Sequence, residues 1–440
     1  MNTAIPERPG AAALGRLTLA LCAALGLALP ALSFAQSPSS EVLADLKQQL
    51  EVLKAEQAQR DARIRHIEQA LSQVTGDAPA TMPAPQTAPV VTAGAPAAPD
   101  AQRLKLSGDL RVRAQGDYSD DLAANRNSSQ VRARIGATYA ISDRVLIGAR
   151  LATGDPDDPN STDVQLSNFA DDLQVSLDQA YVQLNLDQWK LFLGKFPQPF
   201  SRTDLVWDSD VNPQGVAATY RGDLRNGAAV RANTMFFVVD ESAAGPDSTM
   251  TGVQLGFDSP KFGHWKFDVT GGYYDYRLGS IAGADSGDFR SNLRDADGRY
   301  LSDFNLVNVL GGATYEGFGA RWPVRASFDY VNNRGAATDA DTGYAADLTV
   351  GRVSQPGDWR LGYGYQQAET DAVFAAFSHD NLGLATNYRL HSLTLDYATG
   401  PRTLLTGIWY HYRPLDARDA GARDPHDWLD RFRLAFLVNF

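Results

Sequence analysis

The chain has 440 residues, 44% of them hydrophobic, with a formal net charge of -12 and a mean hydropathy of -0.29. A single cysteine excludes a disulfide framework and any cysteine-built metal or redox centre, and the acidic balance argues against nucleic acid as a partner. The six histidines are scattered without metal-ligand spacing, and no G-x-S-x-G, P-loop, H-E-x-x-H or G-x-G-x-x-G motif occurs, so neither cofactor, metal nor enzymatic activity is expected.

Arg8 and Arg16 precede an apolar run from Leu17 to Leu29, which holds the lone Cys22 and is broken by Pro30. Ser33-Phe34-Ala35 then supplies small residues where a signal peptidase reads, so 1–35 is a predicted signal peptide. A run of about thirteen residues falls short of the roughly twenty that span a bilayer. Over 36–76 the pattern becomes helical. Leu43, Leu46, Leu50, Leu53, Gln57, Arg60, Ile64, Ile67, Leu71 and Val74 alternate three and four residues apart, which predicts a coiled coil about 48 Å long. Ser40 caps its start and Gly76 stops it. Residues 77–100 are nearly all Ala, Pro, Thr, Val and Gly and form a semi-stiff linker.

From Leu104 the period changes to two and stays there. Leu104, Leu106, Leu110 and Val112 share one face, while Lys105, Asp109, Arg111 and Arg113 share the other. Such strands fit a soluble sandwich or a membrane barrel whose apolar face meets lipid. Three observations favour the barrel. The predicted strands run to about 10–14 residues, a tilted membrane span rather than the usual five or six. Sixteen of them are joined by alternating short and long links, for example Ser142–Asp143 and Gly400–Pro401 against 154–172, 197–213 and 278–304. Aromatics such as Trp189, Tyr220, Trp265, Tyr315, Trp359 and Tyr397 gather beside the short links, as an interfacial girdle requires. The expected fold is therefore all-β: a transmembrane antiparallel barrel of about sixteen strands over 101–440, preceded by the coiled coil. An even count leaves both ends of the barrel on the short-turn side, which puts the coiled coil in the periplasm.

The last strand carries Phe432, Leu434, Phe436, Val438 and Phe440 on one face, and the chain stops on Phe440. That ending resembles an outer-membrane assembly signal read by the barrel assembly machinery. The stretches DLRVRAQGD (109–117), IGARLATGDPDDP (147–159), LGKFPQPF (193–200) and TDLVWDSDVNPQG (203–215) resemble the bacterial "putative porin" family. The resemblance covers most of 101–440 and is weakest over 278–350. It implies a homotrimeric outer-membrane channel in contact with lipid and lipopolysaccharide.

Counting lumen-facing positions from the short-turn edge places Arg111, Arg113, Arg132, Arg134, Arg150, Arg431 and Arg433 near mid-barrel, as a basic wall across the seam. In porin-like barrels the third long loop narrows the lumen. Here that loop, 197–213, carries Asp204, Asp208 and Asp210 between Pro197, Pro199 and Pro213, so carboxylates would face the arginines across a constriction. The alternative is ordinary salt bridges filling the barrel. The acidic residues of two other loops, Asp155, Asp157, Asp158 and Asp163, and Asp295, Asp297 and Asp303, lack EF-hand spacing and read as solvated turn formers. The expected function is passive diffusion of small hydrophilic solutes and ions. Within the channel class, the rival is a substrate- or anion-selective pore. Outside it stand a barrel that anchors a coiled-coil tether reaching peptidoglycan, and a barrel enzyme that pairs Ser and His from distant strands.

Overall fold

Period-two alternation of apolar and polar side chains becomes sixteen long strands in the computed structural model, which describes residues 103–119, 125–156, 158–167, 169, 173–242, 245–279, 291–416 and 427–440. The signal peptide, coiled coil and linker expected over 1–100 lie outside the described residues. In chain order the strands are β1 (Leu104–Tyr118), β2 (Arg126–Ala140), β3 (Val145–Thr153), the two-residue β4 (Val164–Gln165), β5 (Val175–Leu186), β6 (Trp189–Lys195), β7 (Gln214–Asp223), β8 (Ala229–Asp240), β9 (Ser248–Asp258), β10 (Trp265–Arg277), β11 (Asn305–Tyr315), β12 (Val324–Asn333), β13 (Thr342–Gly351), β14 (Trp359–Ala368), β15 (Tyr388–Gly400), β16 (Thr403–Pro414) and β17 (Leu429–Asn439). Each long strand pairs antiparallel with its sequence neighbours, and β17 returns to β1, so the sheet closes and no edge is left unpaired. β4 extends the β3 side of β2, pairing Val164 with Val131 after the chain has looped away at Thr153.

The two faces separate cleanly. On β1, Leu110 and Val112 are exposed while Asp109, Arg113 and Gln115 are buried, which sets apolar residues outside and polar residues in the lumen. The outward band continues through Ile135, Leu177, Leu255, Phe328, Leu361 and Leu434, all exposed. Water does not tolerate a continuous belt of this kind; acyl chains do. At the short-turn rim, Trp189 lies 4.9 Å from its register partner Tyr220, Trp265 4.8 Å from Tyr315, and Trp359 4.3 Å from Tyr397, centroid to centroid. These are cross-strand aromatic pairs of the predicted girdle.

Phe440 extends the β1–β17 seam by one residue. Phe440 and Gly108 exchange backbone hydrogen bonds of 3.1 and 3.2 Å, and the Phe440 ring lies over Gly108 so closely that a Cβ there would stand 2.3 Å from ring Cζ. Glycine is what lets the terminal ring lie flat across the seam.

Candidate functional site

The lumen is not an open tube at mid-height. Loop 196–213, between β6 and β7, turns inward and buries Phe196, Phe200, Leu205, Val206, Trp207 and Val211. A second loop, 369–387, does the same with Val373, Phe374, Ala376, Phe377 and Leu382. Both pack on the lumen faces of β8–β12 and β15–β16, where Phe237, Tyr274, Tyr276, Leu306, Tyr388 and Tyr410 replace the usual polar lining. Trp207 stacks on Phe377 at 5.6 Å and meets Tyr274 edge-on at 5.8 Å. The loops also bond to each other, Asp208 N to Phe377 O at 2.8 Å and His379 N to Asp204 O at 3.2 Å. The inward turn of 196–213 agrees with the expectation; that of 369–387 has no counterpart in it.

The seven arginines all lie on the lumen side of β17, β1, β2 and β3, and each meets a specific partner. Arg134 bonds Asp109 at 2.7 Å and Asp210 at 2.8 Å; Arg132 bonds Asp109 at 2.8 Å and stands 3.9 Å from Asp210. Arg113 and Arg111 share Asp163, the former at 2.7 Å. Arg150 pairs with Asp178, whose other oxygen accepts from Asn212. Arg431 pairs with Asp117 at 2.5 Å. Arg433 donates to Gln115 and, at 2.7 Å, to Asn381, and lies 5.5 Å above the Tyr410 ring; among the described residues no carboxylate pairs with it. Bidentate and shared contacts of this kind suit the planar, permanently charged guanidinium.

The three loop carboxylates have three different fates. Asp210 reaches the wall and bridges Arg132, Arg134 and Thr162. Asp208 is buried and among the described residues accepts only from Asp210 N, at 2.7 Å. Burial, then the charges of Asp204 and Asp380, push its carboxyl up to about 9, so at neutral pH it carries a proton and no charge. Asp204 lies within the barrel yet leaves 49% of its side chain open to the lumen, with Arg202 at 3.7 Å. Partial enclosure raises its carboxyl to about 6 against the pull of Arg202, and Asp380, Asp210 and Asp347 add to the rise. Of the expected carboxylate row, then, only Asp210 faces the arginines.

Asp163 corrects another expectation. It is not a solvated turn former: the stretch 158–163 dips into the lumen and leaves its side chain 4% exposed under Arg111 and Arg113. Burial alone would raise its carboxyl, but the hydrogen bond from Arg111 and the charges of Arg113, Arg111 and Arg132 outweigh it and hold the group below its ordinary value. Asp295, in contrast, does act in its own turn, accepting from Asp297 N and Arg299 N at 2.9 Å. The signal for 369–387 was present in the sequence: six successive apolar residues, Ala372–Phe377, in a long external link have no place in water.

A cavity of about 420 Å³ lies on the long-loop side of the loop crossing, between Asp155, Asp178, Lys195, Asp240 and Phe377. A closed sixteen-strand barrel with an apolar outer band and loops folded into its lumen defines a porin-type channel of the outer membrane. The family is equally specific. Residues 118–300 and 301–420 match the model of the "putative porin" family, and the chain belongs to that family. Among solved structures it is similar to Pseudomonas putida OprB at high pH, with 13% identity over 77% of this chain and 95% of that one and a TM-score of 0.52. Salmonella typhi OmpF in complex with daunomycin is 15% identical over 77% and 97%, with a TM-score of 0.48. At these identities the OprB likeness carries the fold alone. No curated protein matches the sequence.

Proposed function

We propose that the barrel conducts small hydrophilic solutes and ions passively, through a lumen narrowed by two inward loops rather than one. The observation that carries this reading is the direct bonding of loops 196–213 and 369–387 to each other and, through Asp210 and Asn381, to the arginine wall. A strap bonded to the arginine wall and packed on the lumen faces of β8–β12 restricts passage by size, and its unequal charges discriminate by sign. That favours a selective pore over a wide general one. The test is planar-bilayer recording of the full refolded chain: stepwise conductance is expected, and a silent bilayer rejects the channel. Alanine at Arg111, Arg113, Arg132 and Arg134 together should move the reversal potential in a salt gradient; no movement would reject a selective role for the wall.

The partners belong to the same reading. Lipid covers the apolar band, and lipopolysaccharide meets the long-loop rim, where Arg413 lies 4.9 Å over Trp428. The assembly machinery engages the strand ending in Phe440, and the mature protein is a homotrimer whose periplasmic coiled coil reaches toward peptidoglycan. Deleting 36–76 separates the last two roles: trimers that dissociate point to assembly, a loosened envelope to tethering.

A further inference from the structure

On the outer wall of the barrel, at the long-loop ends of β15 and β16, two arginines stand directly opposite each other. Arg389 registers with Arg413, and nearer the middle of the wall His391 registers with His411. All four follow the alternation of Leu393, Leu395 and Trp409, which are exposed on the outer face, so they point away from the lumen. Arg389 lies eight residues up β15 from the rim aromatic Tyr397. At about 3.3 Å per residue and a tilt of about 40° that is a height of about 20 Å, near the top of an apolar band about 25 Å tall. The arginines therefore sit where hydrocarbon gives way to headgroups.

Among the described residues neither guanidinium makes a hydrogen bond or an ion pair. Arg413 lies over the Trp428 ring at 4.9 Å, and Arg389 Nε is shut off from water without an acceptor. The neighbours that could serve them are engaged. Gln367, opposite Arg389 on β14, accepts from the hydroxyls of Tyr344 and Tyr365, both at 3.3 Å. Asp430, opposite His411 on β17, accepts from Trp409 Nε1 at 2.7 Å and pairs with His411 Nδ1 at 2.8 Å. Like charges directly opposite in a sheet destabilise it, and a buried donor without an acceptor costs free energy. Both penalties are relieved when one doubly charged group accepts from the two guanidiniums at once, as phosphate oxygens do.

A groove of about 750 Å³ continues down the same wall. Leu393, Leu395, Trp409, Phe432 and Leu434 line it, together with Gly407, where a Cβ would meet nothing within 4 Å. The Leu393–Trp409 pair is the next outward pair after His391–His411, so the basic cluster and the apolar groove are continuous. We infer that this face binds one anionic lipid, with a phosphomonoester bridging Arg389 and Arg413 and an acyl chain laid along the groove. The outward facing makes the ligand a lipid and not a luminal solute. A zwitterionic headgroup brings its own cation to the same place, where the two arginines repel it, and a free phosphate gains nothing from the groove. The inference rests on the outer-membrane reading, since only a bilayer brings such a lipid to this wall, and it narrows a general contact with lipid to one site per barrel.

The test uses the full chain folded in detergent, with native mass spectrometry counting bound dimyristoyl phosphatidic acid or dimyristoyl phosphatidylcholine and inorganic phosphate as competitor. One phosphatidic acid per barrel should bind with a Kd at least tenfold below that of phosphatidylcholine, and a hundredfold excess of phosphate should displace less than half of it. Arg389→Gln combined with Arg413→Gln should raise the phosphatidic acid Kd at least fivefold and leave phosphatidylcholine unchanged. Gly407→Leu, which fills the groove, should raise it at least threefold. Both variants should keep the heat-shifted folded band; if one does not fold, the other still decides. The two lipids within twofold of each other, full displacement by phosphate, or phosphatidic acid binding unchanged in the folded variants would overturn the site. So would a Gly407→Leu chain that loses its oligomer but not its lipid, because the face would then join copies of the chain. Insertion into phosphatidylcholine vesicles is scored separately: insertion without a phosphatidic acid preference sinks only the site, and a chain that stays in water without detergent sinks the outer-membrane reading itself.

Discussion

Arg433 and Asp208 show that formal charge along the lumen is a poor guide to the charge a solute meets. Arg433 is matched by two amides, and Asp208 is neutral at pH 7, so the wall is more positive and the loop less negative than the sequence suggests. Asp163 is the main correction to that excess, since among the described residues it alone pairs with both Arg111 and Arg113. Asp163→Asn should therefore move the permeability ratio toward anions by about two- to threefold, read from reversal potentials in a salt gradient. A shift toward cations would mean the two arginines are screened by something else. Asp208 makes a pH prediction with the opposite logic. The unfolded chain gives up this proton near the ordinary carboxylate value of about 3.9, the folded chain near 9, so the folded state binds the extra proton between them. Stability then falls as pH climbs through that window, by at most ~1.4 kcal/mol per unit. Asp208→Asn removes the titration while keeping an oxygen for Asp210 N. Its unfolding temperature, followed by the heat-dependent gel shift, should match the native chain near pH 4 and exceed it at pH 8. That the seven arginines share the lumen face was legible, because a strict period of two carries a side chain's facing along any strand once one position is fixed. Their partners were not. Asp163 comes from a loop, where no periodicity assigns a face, and nothing in its neighbours distinguishes it from Asp155.

At the scale of elements, the strands and the loops obey different rules. Each strand satisfies its backbone through its neighbours and so needs only alternation, which is why the predicted spans and short turns agree with the structure within a few residues. The inward loops have no ladder and are held by a core of their own. Trp207 is its centre, touching Phe200, Tyr274, Tyr276 and Phe377. Residues 291–304 clamp it from the long-loop side: the Asn292 amide donates to Thr370 O and Val373 O and accepts from Ala375 N, while Ser302 donates to Asp371 at 2.6 Å. Truncating a fully buried Trp costs about 3–5 kcal/mol, more than such a small core can spare. Trp207→Ala should release the two loops from each other and raise unit conductance at least twofold, while the barrel keeps its heat-shifted band. Unchanged conductance would place the narrowest point elsewhere. The Ala372–Phe377 run makes the same point from sequence: an apolar stretch in an external link is evidence of a lumen element, and it escapes notice when loops are judged by length and charge alone.

For the whole molecule, the controlling fact is that a β-barrel in lipid has no partial credit. An open seam leaves a row of backbone N–H and C=O groups facing hydrocarbon, each costing several kcal/mol, so closure is all or none. Here the seam joins the first strand to the last, with register running from Asp109 opposite Asn439 to Tyr118 opposite Asp430. Gly108 and Phe440 finish it, and a Cβ at Gly108 would stand 2.3 Å from the Phe440 ring and 2.4 Å from the backbone oxygen of Arg134 on β2, so neither side of the seam leaves room for a side chain. Gly108→Val should therefore prevent closure even though valine is a better strand former than glycine and would strengthen the outward apolar face. Local propensity and global closure pull in opposite directions at this one position. The measurement is the fraction of refolded chain that shows the heat-shifted band in lipid vesicles. We expect at least a tenfold loss for Gly108→Val, and a similar loss on deleting Phe440, whereas Gly407→Ala, on a neighbouring strand with open space around its Cβ, should fold normally. If the chain lacking Phe440 folds as well as the native one, the ring is not the closing piece, the loss at Gly108→Val belongs to the Arg134 backbone oxygen, and the seam is secured by the register of β1 and β17.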